Sequence, residues 1–178
     1  MHLRQRKRIE KLGQLGEKLA AERLAVNGFT DIEDLNSIRV HYPFGDLLAT
    51  RDGVRYFVGV KARNEMRQGE VGLNEAYNFV LISDAMNAKL KGEGKTADQI
   101  TALLLAEMTT LATTHKAIPA WITVPIRAKT GTYSAYFGLL SKLGNRRSIP
   151  MKPDDCKYHE CLARDVADPR VTADLLNV

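Results

Sequence analysis

Apolar residues recur at helical spacing near the start of the chain. Leu12, Leu15, Leu19, Ala20, Leu24 and Ala25 form one stripe, which predicts a helix over residues 4–27, closed by Gly28 as a left-handed cap. Glu17 lies on the flank of that stripe. Residues 29–36 predict an irregular or short β segment. Over 39–63 the period falls to two, and Asp52-Gly53 supplies the positive φ values of a two-residue hairpin turn. That turn pairs Arg51 with Val54 and carries the register back to Asp46 opposite Gly59. Alternation then puts Lys61 on the face of Gly59. Diagonal neighbours across two strands are about 7–8 Å apart, within reach of long side chains. Leu47, Ala49, Tyr56, Val58 and Val60 make the other face apolar, so it is expected to pack on the core. The face of Asp46 and Lys61 is expected to be polar and to suit a hard cation and a phosphate.

Residues 64–72 are polar and predict a loop. Residues 73–90 favour a helix, with a short strand over 78–82 as the alternative. Lys91-Gly92-Glu93-Gly94-Lys95 reads as a linker. A second long helix is expected over 96–115, capped by Thr96, with Ile100, Leu103, Leu104, Met108 and Leu111 toward the core. Residues 120–127 are largely apolar and predict a central strand, with Trp121 in the core. Lys129-Thr130-Gly131 predicts the turn into a further strand over 133–140. The tail carries Pro150 and Pro153, a short segment at 158–162 and a terminal turn of helix. This order predicts one α/β domain over 1–178, a central mixed β-sheet flanked by helices, with its core at about 10–145 and a C-terminal extension over 146–178.

Composition narrows the class. With 178 residues the chain is long enough to bury a real core. No apolar run approaches the ~18 residues of a membrane span. The basic N-terminus is not followed by the apolar stretch of a signal peptide, so a cytoplasmic location without a membrane partner is expected. Cys156 and Cys161 do not make a disulfide framework, and their spacing with His159 is poor for zinc. No phosphate-binding GxxxxGK[ST] loop is present. The net charge of +5 permits a polyanionic partner. Clustering says more: Arg4, Arg6, Lys7, Arg8 and Lys11 lie together, as do Lys142, Arg146, Arg147 and Lys152. Each cluster reads equally well as a solvated surface and as a nucleic-acid contact.

Gly16-Glu17 on a first helix ending in Gly28-Phe29, Asp46 on a strand, and Val58-Gly59-Val60-Lys61 on the next form a pattern. It resembles the PD-(D/E)XK nuclease superfamily, the restriction-endonuclease-like fold. The resemblance covers residues 13–63 by motif; the later helix and strand extend it in element order alone. It implies a Mg²⁺- or Mn²⁺-dependent endodeoxyribonuclease acting on DNA, with a homodimer as one arrangement. Carried over by position, Asp46 and Glu17 are the metal-binding acids, the backbone carbonyl of Val60 completes the oxygen set, and Lys61 is the catalytic lysine. Arg63 follows Lys61 on the same strand face and suits a neighbouring phosphate; Arg8 and Lys11 are further candidate DNA contacts. Gly59 departs from the pattern, standing where the family has Glu, Asp or Gln. Glu17 is the first candidate to compensate, with Glu65 or Glu70 as relocated acids. Two other readings stay open: a degenerate member that binds nucleic acid or a protein without cutting, and an α/β interaction protein unrelated to nucleases.

Overall fold

The computed structural model describes residues 3–39, 42–64, 76–78, 84–144, 148–150 and 159–176. Helix α1 spans Leu3–Val26 and ends at Gly28, whose φ is 81°. Strand β1 (Thr30–Asp34) leads into a 3-10 turn, Leu35–Ser37. Strands β2 (Leu47–Arg51) and β3 (Val54–Asn64) form the expected hairpin. A short β4 (Ala76–Asn78) precedes α2 (Asp84–Gly92) and α3 (Ala97–Thr114). Then follow β5 (Ile118–Arg127), β6 (Thr132–Leu139), β7 (Ser148–Pro150), β8 (Glu160–Ala167) and α4 (Pro169–Leu176).

Six strands make one mixed sheet in the order β1-β2-β3-β5-β6-β8, with β3 and β5 parallel and the other pairs antiparallel. The hairpin register follows the turn: Arg51 pairs with Val54 and Leu47 with Val58. Asp52 and Gly53 have φ of 53° and 75°, the positive pair that such a turn requires. The β3–β5 ladder runs unbroken through Gly59, which pairs with Trp121, so the glycine marks no bulge there.

Helices cover both faces of the sheet. On one, α1 sets Leu15, Leu19 and Leu24 against Leu47, Ala49, Val58, Val60 and Ile122. On the other, α3 sets Ile100, Leu104, Met108 and Ala112 against Leu48, Phe57, Trp121 and Tyr136. Thr96 and Gln99 close a reciprocal capping box at the start of α3. Leu103, expected toward the core, is exposed, because it lies off the stripe defined by residues 100, 104 and 108.

Three further expectations change. The face shared by Leu48, Phe57, Gly59 and Lys61 is not polar: Leu48 and Phe57 are buried under α3, as expected for a strand covered on both sides. The stretch expected as a C-terminal extension supplies β8, the sixth strand, and α4. Arg170 of α4 forks onto Glu22 of α1 through two bonds of 2.6 Å. Within 73–90, Ala76–Asn78 form β4, which pairs with β7 in a separate two-stranded sheet, and the described helix spans Asp84–Gly92. Residues 79–83, Glu65, Glu70, Cys156, Arg146, Arg147 and Lys152 lie outside the described residues. His159 is buried between Trp121 and Tyr136, and Cys161 is an exposed free thiol on β8.

Candidate active site

The site lies where β2 stops and β3 continues. Asp46 immediately precedes β2; its N–H donates to Val58 O at 2.9 Å, and its own carbonyl accepts from Leu35 N at 2.9 Å. Beyond that point β3 has no strand beside it on this edge among the described residues. The Asp46 carboxylate fills the gap: Oδ2 accepts the Val60 N–H at 2.6 Å. In an extended strand the N–H and C=O of one residue project to the same edge. The Val60 carbonyl therefore points to the same open edge as the acid.

The approach to Asp46 is held tightly. Phe44 has φ of 63°, a left-handed value that costs an aromatic residue backbone strain. Gly45 is buried, and a Cβ there would run into the Phe57 ring. That ring stacks on His115 at 5.7 Å, and Tyr42 meets both rings edge-on. The Tyr42 hydroxyl and His115 Nε2 share a hydrogen bond of 2.8 Å. Local strain next to a candidate functional carboxylate is where such strain tends to concentrate.

Glu17 arrives from α1. At Gly16 a Cβ would overlap the Cβ of Ala62, so only glycine lets the helix sit this close to β3. The next residue is thereby carried to the open edge. Asn36, in the 3-10 turn, joins the two acids: its Nδ2 lies 3.4 Å from Glu17 Oε2 and 3.5 Å from Asp46 Oδ1. Its Oδ1 accepts the Tyr42 N–H at 3.1 Å. Burial raises the Glu17 carboxyl from 4.5 to about 7; the charges of Asp46 and Asp34 push the same way, against the Asn36 hydrogen bond and the charge of Lys61. Asp34 is committed elsewhere, since its carboxylate caps the 3-10 turn through Asn36 N at 2.8 Å.

Glu17, Asn36 and Asp46 open onto a cavity of about 430 Å³, with Tyr42, Gln14 and Glu10 completing most of its wall. Glu10, Gly13, Gln14 and Glu17 fall on one stripe of α1, so their helical spacing was a signal that the sequence carried. Nothing local marks Asn36. A second cleft, of about 370 Å³ between α3 and β5, is lined by Leu105, Ala106, Ile118, Pro119 and Leu140 and carries no titratable side chain.

The other predicted residues separate. Lys61 is half-buried and leaves β3 on the face opposite Ala62, yet its charge still acts on Glu17 past the open edge. It does not line the cavity with the acids. Arg63 follows two residues on, opposite Pro125 of β5. Lys11 is exposed on α1, whereas Arg8 is half-buried, on the side of α1 away from the Glu10–Glu17 stripe. Among the described residues no group of three or more His, Cys, Asp or Glu side chains is arranged to hold a metal ion. No described helix is long and apolar enough to cross a membrane. Comparison with protein-family models, with curated proteins and with solved structures gives no match to this chain.

Proposed function

We propose that this chain is a metal-dependent nuclease that hydrolyses phosphodiester bonds in DNA on a restriction-endonuclease-like scaffold. The observation that carries the reading is the pairing of Glu17 and Asp46 on one Asn36 amide, at 3.4 and 3.5 Å, beside the open edge of β3. Two elements far apart in the chain deliver carboxylates to one point at a cost in charge repulsion and burial. Such a cost is characteristic of functional sites.

The donor chemistry fits a hard divalent cation. Two carboxylates and the Val60 carbonyl are oxygen donors, and Mg²⁺ keeps several waters beside one or two protein carboxylates. A divalent ion held there supplies Lewis-acid stabilisation of phosphodiester charge and activation of water. Lys61 lies outside the cavity on the other face of β3, and its role here is to reach round the open edge, where its charge already acts on Glu17, and stabilise charge growing on the phosphate. Arg63 holds a neighbouring phosphate. The water oxygen gives up a proton to solvent as it forms the new bond to phosphorus, the bond to the leaving oxygen breaks, and that oxygen takes up a proton from solvent.

Gly59 supports a second reading. With glycine in place of the family's third acid, and no three-acid group among the described residues, the same scaffold serves as a DNA-binding domain that does not cut. The test is plasmid and single-stranded DNA with Mg²⁺ or Mn²⁺, using the natural chain beside Asp46→Ala and Lys61→Ala. Metal-dependent nicking lost in both variants supports the enzyme. Salt-sensitive binding without cleavage supports the binder. Neither cleavage nor binding refutes both. Gly59→Glu, with its folding checked because Gly59 is buried beside Trp121, sharpens the choice: cleavage gained on restoring the acid marks a scaffold otherwise competent.

A further inference from the structure

We propose that Asn36 is a positioning residue, which holds the Glu17 and Asp46 carboxylates on one shared point and is itself held by Tyr42, whose hydroxyl pairs with His115. This rests on the proposed metal site and adds the device that keeps its two acids together.

The chemistry of the amide makes the assignment. When both are ionised, as an ion between them requires, the two carboxylates offer only acceptors, so nothing in the pair itself draws them together. An amide NH₂ has two donors and can serve both. Asn36 Nδ2 stands between Glu17 Oε2 and Asp46 Oδ1 at 3.4 and 3.5 Å. These are long contacts, at the outer limit of a hydrogen bond. The orientation of the amide is fixed from its other end, where Oδ1 accepts the Tyr42 N–H at 3.1 Å. A flipped amide would set its oxygen against two carboxylates and its NH₂ against the Tyr42 N–H.

Tyr42 in turn is anchored away from the cavity. Its hydroxyl pairs with His115 Nε2 at 2.8 Å, just past the end of α3, and its ring meets Phe57 and His115 edge-on. The contacts therefore run from the end of α3 through Tyr42 and Asn36 to acids on α1 and before β2. Asn36 touches the acids and no reacting group, so its effect falls on how an ion is held. Outer-shell partners of metal ligands typically carry a 10–100-fold effect on affinity.

The experiment titrates Mn²⁺ alone into the purified chain by calorimetry, and measures urea unfolding without metal. The variants are Asn36→Ala, Asn36→Gln, Tyr42→Phe, Glu17→Ala and the double variant Asn36→Ala/Glu17→Ala. Asn36→Ala is expected to weaken Mn²⁺ binding by about 10-fold or more. Asn36→Gln, which keeps the amide, restores part of that loss, and Tyr42→Phe weakens binding by a few-fold. Without metal, the Asn36 and Glu17 substitutions are expected to be non-additive in the unfolding equilibrium. Unchanged Mn²⁺ affinity in a folded Asn36→Ala overturns the proposal, as do additive substitutions. A natural chain that binds no Mn²⁺ but keeps the non-additivity overturns the metal-site reading and leaves Asn36 as the holder of the acid pair.

Discussion

Glu17 should make this protein less stable than it need be at neutral and alkaline pH. The folded state holds its carboxyl at about 7, against 4.5 as the ordinary value. Below pH 4.5 the group is protonated in both states and costs nothing. Between 4.5 and 7 the unfolded chain ionises first, so stability falls as pH rises; above 7 the cost is constant. At about 1.4 kcal/mol per unit the whole shift corresponds to about 3 kcal/mol. Glu17 is only half-buried, and solvent screening reduces this to about 1–2 kcal/mol. Glu17→Gln keeps the shape, and its carbonyl can still accept from Asn36. In EDTA at pH 8.5 the variant is expected to melt about 2–8 °C above the natural chain, given roughly 2–4 °C per kcal/mol at this chain length. At pH 4.5 the two should melt together. Millimolar Mn²⁺ should reverse the order at pH 8.5, because an ion that binds the folded state alone stabilises it by mass action. The assay is thermal unfolding by circular dichroism across pH. A Glu17→Gln variant destabilised equally at both pH values would refute the reasoning.

Other perturbations test the supports of the site. Gly16→Ala should push α1 off β3 at Ala62 and cost about 1–3 kcal/mol in urea unfolding; a neutral effect would contradict the close approach. Gly45→Ala drives a Cβ into Phe57 and should cost a similar amount, about 1–3 kcal/mol, while weakening Mn²⁺ binding because Asp46 follows directly. Arg170 holds Glu22 and Asp168 below their ordinary values chiefly by hydrogen bonding, so the stability they lend is present above those values and is lost as pH falls through the folded ones. Arg170→Met should therefore cost up to about 1 kcal/mol at pH 7 and nearly nothing at about pH 2, read from unfolding midpoints.

The parts of the fold that local chemistry dictates were legible in the sequence. Asp52-Gly53 fixes the turn, and a two-residue turn fixes every pair of the β2–β3 ladder. Thr96 and Gln99 announce the start of α3, and the stripe ending at Leu24 announces α1. What stayed hidden depends on long-range pairing. β1 reads Thr-Asp-Ile-Glu-Asp, almost wholly exposed, with Ile32 partly buried against the core, and it forms by pairing with β2. β8 buries Leu162 and Ala163 side by side, so it lacks the alternation that marks a strand. β4 and β7 are three residues each, and each needs the other. The face of Asp46 and Lys61 departs from the expected polarity because β3 is covered on both sides in its middle and becomes polar only toward Lys61 and Arg63, past the end of β2. At the site, Glu17 and Asp46 carried motif signals. Asn36 and Tyr42 come from a 3-10 turn and a loop, where no periodicity shows which side chains will meet.

The most direct measurement is anomalous diffraction from a crystal of the natural chain soaked in Mn²⁺. One strong peak is expected at the open edge of β3, within bonding distance of the Glu17 and Asp46 carboxylates and the Val60 carbonyl. Manganese at surface carboxylates with none between those two acids would contradict the proposed metal site.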